Sequence, residues 1–452
     1  MTRANLILII SILMVGFMAI GLSSLSGSSL LILVLILGLA ACVVTLINTD
    51  AALVILIFSM LLSPEITIAQ FGLNRGLAIR IEDILLFVIF ITWLAKLAKN
   101  RELPLLRYTP INLPIILYIV VCIIASIRGS LLGTVNPVKS SFYIIKYIEY
   151  FLIFFMVVNN TRSLRQVKLF IAFLLIACSL VVFLAWLQIG AGVERVTAPF
   201  EGFGGEPNTF GGYLLFMWAI IFGIFWYVKD IKWKIFTGSL FFLIIPPFLF
   251  TLSRSSYTGV IPMFLTLAVL NEKRRGILTI LLIIGAISFI FLVPPQVKNR
   301  IHETFVGREN RIAGKFVRLE ESAGARVQTW NEVMVNTWPK RPVLGYGSGG
   351  PLIDGQYLTI LAETGIAGLM IFVWMMLAIF RESIQNLYKL KDNTLLGGFT
   401  LGFIAGMTGL LAHALTSNTF IIVRIMEPFW FMTALVVILQ YLGETKLTAQ
   451  VI

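Results

Sequence analysis

Residues 166–190 read QVKLFIAFLLIACSLVVFLAWLQIG, and no charged side chain lies between Lys168 and Glu194. A run of about 20 apolar residues is long enough to cross the hydrocarbon core of a bilayer as a helix. A barrel strand would instead show about 10 residues of alternating polarity. The apolarity here is continuous, so the stretch reads as a transmembrane helix. Working outward, similar runs occur near 5–23, 28–47, 50–63, 82–98, 111–127, 141–158, 209–228, 234–252, 256–271, 277–294, 356–380, 396–416 and 420–442. The runs at 50–63 and 256–271 are short enough to be re-entrant, so the count is 12–14. The chain is predicted to be an all-α polytopic membrane protein: helices over 1–294, an external amphipathic helical segment over 295–355, and further transmembrane helices over 356–452.

Composition agrees. The chain is 58% apolar and 13% charged, against about 45–50% and about 25% in a soluble domain. The net charge of +13 fits basic cytoplasmic loops better than nucleic acid, and no nucleic-acid partner is expected. The three cysteines, Cys42, Cys122 and Cys178, lie inside apolar runs without metal-ligand spacing. They read as core residues. The first apolar run is long and the next follows a short polar turn, so no cleavable signal is expected.

Lys and Arg set the orientation. With a cytoplasmic N-terminus, the inside loops and the termini hold 18 of the 35 basic residues, and the short outside loops and helix ends hold 8. The asymmetry places both termini in the cytoplasm and 295–355 outside. No internal repeat of the kind common in transporters stands out.

Intramembrane charges are costly and mark function by default. Glu82, Asp83, Lys146, Glu149, Arg254, Glu363, His413, Arg424 and Glu427 all fall towards the outer side of their segments. Such a distribution points to a polar site open to the outer face rather than to a path across the membrane. The pairs Lys146–Glu149 and Arg424–Glu427 are spaced i,i+3, so each reads equally well as a structural ion pair. His413 reads as an interhelical hydrogen bonder. Arg254, in Thr251-Leu252-Ser253-Arg254-Ser255-Ser256, has no acidic neighbour in sequence; as an unpaired cation at a helix start it suits a phosphate.

In the external segment, Val297, Ile301 and Phe305 share one helical face, as do Arg326, Trp330 and Val333. An Arg beside Trp suits phosphate and sugar, or equally an interfacial anchor. Gly345-Tyr346-Gly347-Ser348-Gly349-Gly350 lacks the Gly-Lys-Ser/Thr ending of a phosphate loop and reads as a flexible turn.

Four motifs stand in order: Gly205-Glu206-Pro207-Asn208-Thr209-Phe210-Gly211; Thr251-Leu252-Ser253-Arg254; Ala325-Arg326…Trp330…Pro342-Val343-Leu344-Gly345-Tyr346-Gly347; and Asp354-Gly355-Gln356-Tyr357-Leu358…Glu363-Thr364-Gly365-Ile366-Ala367-Gly368. Together, over about residues 200–370, they resemble the O-antigen ligase and polymerase superfamily. The resemblance implies a metal-independent, cofactor-free glycosyltransferase of the bacterial inner membrane with a periplasmic active site. Its donor would be a glycan on undecaprenyl diphosphate, and a chain-length regulator is a partner to expect. Arg254 and Arg326 match the arginines thought to engage the donor diphosphate. Glu206, Asn208, Trp330, Tyr357, Glu363 and Arg424 are the expected substrate-binding residues. Ligases usually carry His-Asn where this chain has Asp354-Gly355, and that His is regarded as catalytic. Asp at this place looks like the polymerase branch and can still accept a proton. The preferred reading is therefore a polymerase of lipid-linked repeat units. The alternatives are a ligase onto lipid A–core, a transporter of the lipid-linked glycan, and a non-catalytic scaffold.

Overall fold

The computed structural model describes residues 48–448 apart from 64, 71–75, 100–105, 201–204, 272–274, 278, 281–294, 304–307, 313–314, 352 and 391–393. The expected segments at 5–23 and 28–47, nearly all of 277–294, and Cys42 lie outside the described residues.

The described chain is helical apart from two short hairpins. Its elements are α1 (Thr49–Leu62), β1 (Glu65–Gln70), β2 (Gly76–Arg80), α2 (Ile81–Lys99), α3 (Asn112–Leu131), α4 (Pro137–Asn160), α5 (Leu164–Gly190) and α6 (Pro207–Tyr227). There follow α7 (Ile231–Leu243), α8 (Ile245–Phe250), α9 (Arg254–Leu270), α10 (Pro295–Glu303), β3 (Arg308–Ile312), β4 (Lys315–Leu319), α11 (Glu321–Glu332), α12 (Gln356–Lys389), α13 (Thr394–His413) and α14 (Val423–Thr448). Eight helical spans among the described residues are long and apolar enough to cross a membrane, α7 and α8 counting as one. The chain is a multi-pass membrane protein. The short α1, of 14 residues, is buried along nearly its whole length. It is sheathed by protein rather than exposed to lipid.

Local chemistry accounts for the helix starts. Asn48, Asn136 and Asp230 cap α1, α4 and α7 by accepting backbone N–H bonds. Ser163 and Gln166 form a reciprocal capping box on α5, satisfying amides that have no partner within the helix. The Pro246-Pro247 pair divides the expected run at 234–252 into α7 and α8 at Ile244, because proline removes a helical donor and clashes with the preceding turn.

The middle of the bundle is α6 against α13. A Cβ on Gly223 would meet the backbone of Gly398 and Gly402 within 2.4–2.8 Å. Small residues let the two backbones touch, the usual basis of helix association where lipid supplies no hydrophobic drive.

Loops segregate to two ends. At one, Gln166 Nε2 donates to Asp50 Oδ1 (2.9 Å) and Arg107 N to Asn159 Oδ1 (2.8 Å). At the other lie the strands of both hairpins, the α3–α4 turn, the α8–α9 loop, the α13–α14 turn and the described residues of the α5–α6 loop and of 295–355. That polar end carries the candidate site.

Two expectations for 295–355 change. Helix α10 is described as far as Glu303, so Phe305 lies outside the described residues, and the antiparallel β3–β4 hairpin (Arg308↔Leu319 to Ile312↔Lys315) separates the two helical stretches. The glycine-rich stretch is not a flexible turn. Residues 342–347 wedge into α12, where Ile366 N donates to Pro342 O (2.8 Å), Tyr346 N to Ala362 O (2.9 Å) and Gly347 N to Glu363 O (2.8 Å). The helix breaks there at Gly365, φ 68 and ψ −165. A Cβ at Gly365 would stand 2.3 Å from the Val343 carbonyl. Only glycine combines that dihedral with that contact.

Candidate functional site at the polar end

Arg254 opens α9, set by the positive-φ turn at Leu252 (φ 51) and by the Ser253 cap. Ser253 Oγ also donates to Asn208 Oδ1 (2.8 Å) at the start of α6. Two of the four motifs therefore meet through one hydroxyl. The loop before α6 is bound to the same turn: Val196 N donates to Phe250 O (3.0 Å) and Arg195 Nε to Thr251 O (3.2 Å).

Arg254 is not an unpaired cation. Its guanidinium makes a short contact with Glu320, 66 residues on. Arg300 of α10 takes the other oxygen of the same carboxylate at 3.1 Å. The sequence could not show this pair, because the acid arrives on a distant loop. Partial burial pushes Glu320 up, but hydrogen bonding and charge from Arg254, together with Arg300, hold its carboxyl below the ordinary carboxylate range. Burial, with the charges of Arg300 and Arg254, draws the Arg195 guanidinium below its usual value. Two guanidiniums thus hold one carboxylate, and a third, Arg195, lies close enough to feel their charge. The local field is positive and suits a multiply charged anion.

Glu320 is the N-cap residue of α11, and that helix carries Arg326 and Trp330. Arg326 Nε stands 3.1 Å from Asp354 Oδ2, and Trp330 Nε1 donates to Asp354 O at 2.6 Å. Val333 packs on Ile353 and Ala362 beneath them. Asp354 is 51% exposed in its side chain, open to a ligand. It does not cap α12: the N-cap is Gly355 (φ 124), with no side-chain cap bond.

The remaining expected residues divide. Tyr357 Oη donates to Leu411 O (2.7 Å), which ties α12 to α13. Glu206 is the N-cap residue of α6 and accepts a long bond from Thr209 Oγ1 (3.5 Å). Glu363 is buried and accepts from Gly349 N (2.8 Å), holding the glycine-rich loop. His413 is buried with Nδ1 2.6 Å from Thr419 Oγ1, in the turn that follows its own helix, so this bond is local rather than interhelical.

Arg424 belongs to a second polar group. It donates to Leu61 O (2.7 Å) and Ser63 O (3.3 Å), tying α14 to the end of α1. In the same group Lys146 bridges Asp83 and Glu149, each at 2.8 Å, and Ser63 donates to Glu82. The i,i+3 pairing at Lys146–Glu149 is therefore present. Glu427 is fully buried and, among the described residues, has no hydrogen-bond partner on either carboxyl oxygen, so the i,i+3 spacing at Arg424 does not become a hydrogen-bonded pair.

The chain matches no protein-family model and no curated protein sequence.

The residues that sequence reasoning missed are Arg195, Arg300 and Glu320. None lies in a motif. Arg195 and Arg300 have only the signal of a charge near the end of an apolar run, and Glu320, in the middle of 295–355, has none.

Proposed function

We propose that the chain is a membrane-embedded glycosyltransferase of a bacterial inner membrane. Its donor is a glycan on undecaprenyl diphosphate, bound at the polar end of the bundle, which faces the periplasm. It joins repeat units of a surface polysaccharide. The observation that carries this reading is helix α11. It holds Glu320, clasped by Arg254 and Arg300, and Arg326, clasped by Asp354, six residues apart. That separation is about 9 Å along the helix axis, a span suited to a diphosphate and its first sugar.

In this mechanism the carboxylates of Glu320 and Asp354 hold donors that phosphate oxygens would take. A diphosphate entering between the arginines exchanges with them, since guanidinium forks match phosphate geometry. Asp354, released from Arg326, is then free to accept the proton of an acceptor hydroxyl. The hydroxyl oxygen bonds to the anomeric carbon, and the glycosidic C–O pair leaves on the diphosphate. The arginines stabilise the charge that develops there. Asp354, where ligases carry His, favours polymerisation over ligation.

The test is deletion in the native host, followed by a gel of the surface polysaccharide. Single lipid-linked units without polymer support polymerisation. Full polymer stranded on the carrier lipid makes the protein a ligase, and an unchanged ladder sinks both.

A further inference from the structure

Apart from the clasp on α11, a second ionisable group sits where α14 meets α1, α2 and α4. Four carboxylates gather there: Glu82 and Asp83 of α2, Glu149 of α4 and Glu427 of α14. Three cations stand among them: Arg80 of β2, Lys146 of α4 and Arg424 of α14. Among the described residues the group therefore carries a formal excess of one negative charge.

Its partners are unevenly divided. Lys146 Nζ stands 2.8 Å from both Asp83 Oδ2 and Glu149 Oε2. Glu82 accepts from the Ser63 hydroxyl and lies 3.6 Å from Arg80 Nη1. Arg424 donates to the Leu61 and Ser63 carbonyls. Glu427 is left over. It lies within the apolar span Val423–Leu442 and is 0% exposed. Both its oxygens are sealed from solvent and, among the described residues, have no hydrogen-bond partner. The charges that bear on it are mostly of its own sign, Glu82, Asp83 and Glu149 against Arg80. Tyr150 of α4 also feels the group, but its hydroxyl already donates to Ile421 O (2.6 Å).

The other helices packed on α14 bring no counter-charge. Helix α6 has no charged residue. Asp50 of α1 and Arg165 and Lys168 of α5 lie at the opposite end of the bundle. On α12, Glu363 accepts from Gly349 N (2.8 Å), and Arg381, Glu382 and Lys389 stand towards the far end of the helix.

We infer that Glu427 is a proton-binding site, whose carboxyl holds the one proton that brings this buried group to neutrality. A carboxylate sealed in a low-dielectric interior without a partner takes up a proton rather than keep its charge. A metal ion would need several ligands converging on one point, and among the described residues no three His, Cys, Asp or Glu side chains do so here. A proton needs no cavity.

The proton sets a latch. Arg424 and Glu427 are spaced i,i+3 on α14, within reach of an ion pair. With Glu427 neutral, the guanidinium holds the end of α1 through the Leu61 and Ser63 carbonyls. Loss of the proton leaves an anion one turn away, and the guanidinium turns to it and releases α1. Two arrangements of one side chain, selected by one proton, make a bistable element. Neither arrangement depends on what the protein transfers.

The test uses the purified full-length protein in lipid nanodiscs. Infrared difference spectroscopy at about pH 7, well above the ordinary carboxylate range, reads the C=O stretch of protonated carboxyls. Wild type minus Glu427→Gln should show one such band, shifted down in D₂O. Raising the pH until that band disappears should speed amide exchange across residues 58–63 by about ten-fold or more, after correction for intrinsic rates. Glu427→Gln, a neutral mimic, should keep its protection throughout. Wild type with no protonated-carboxyl band at neutral pH overturns the site, and no variant is needed to show it. A difference spectrum without the band overturns it equally when Glu427→Gln elutes as a monodisperse protein. Exchange across 58–63 that ignores the loss of the band overturns the latch, as does a band that outlasts the folded protein as pH rises.

Discussion

Arg326 and Asp354, 28 residues apart in sequence, face each other at 3.1 Å between Nε and Oδ2, and the indole of Trp330 holds the Asp354 carbonyl beside them. The pair explains why Asp354 leaves the cap of α12 to Gly355. A side chain engaged by a guanidinium across a cleft is placed for a ligand rather than for its own helix.

Asp354→Asn removes the proton acceptor without removing bulk. Under the proposed mechanism, both Asn and Ala should lower the transfer rate by about 10²–10⁴. Single-turnover kinetics with a lipid-linked donor checks this. Full activity in Asn would confine Asp354 to positioning Arg326.

Arg254→Ala and Arg326→Ala should each abolish transfer while the protein still inserts and purifies. Arg254→Lys should fail as well, because a flexible point charge cannot reproduce a planar fork. Polymer of normal length from Arg254→Ala would remove that residue from the site.

Glu320→Gln tests the clasp on α11. The native carboxyl titrates below the ordinary carboxylate range, so its stabilising contact is complete above the unfolded value of about 4.3 and is lost only as pH falls through the lower native value. Hydrogen exchange across 321–332 should therefore stay flat from about pH 7 to pH 5 in the wild type, after correction for intrinsic rates. In Glu320→Gln the same helix should exchange faster at every pH in that window. Equal protection in both proteins would mean the clasp does not order α11.

Topology is tested by labelling. In a functional background without the native cysteines, Lys340→Cys should react with an impermeant maleimide in intact spheroplasts. Arg275→Cys should react only after permeabilisation. The reverse pattern would turn the polar end to the cytoplasm and remove the periplasmic site.

Gly365→Ala should cost more than a normal glycine substitution. The left-handed dihedral alone costs about 1–3 kcal/mol in a residue with a side chain, and the Val343 carbonyl leaves no room for Cβ. A marked drop in detergent melting temperature and in yield is the expected result. A neutral effect would mean the wedge of 342–347 is not held as described.

Much of the architecture is legible in sequence because the bilayer imposes a simple demand. Each spanning segment must be apolar for about 20 residues and must satisfy its own backbone bonds. Residues 166–190 meet it alone, and so do the other long runs. Spacing of i,i+3 also foretold Lys146–Glu149, since the helix itself brings those two together. The same spacing failed at Arg424, where the carbonyls at the end of α1 offered a better-placed partner than Glu427. The β3–β4 hairpin was hidden because its pairing depends on a turn and register that apolar patterning of so polar a stretch does not mark.

The sequence by itself determined that this chain is a bundle of membrane helices whose charges gather towards one end, because hydrophobic runs and local spacing act between near neighbours. Only the tertiary structure decided what those charges meet. Arg254 finds Glu320 across 66 residues, Arg326 finds Asp354 across 28, and the glycine-rich loop finds the break at Gly365. Such partners are chosen by where distant loops return. In a low-dielectric bundle the strength of each contact depends on that geometry and on burial, and neither is written in the order of residues along the chain.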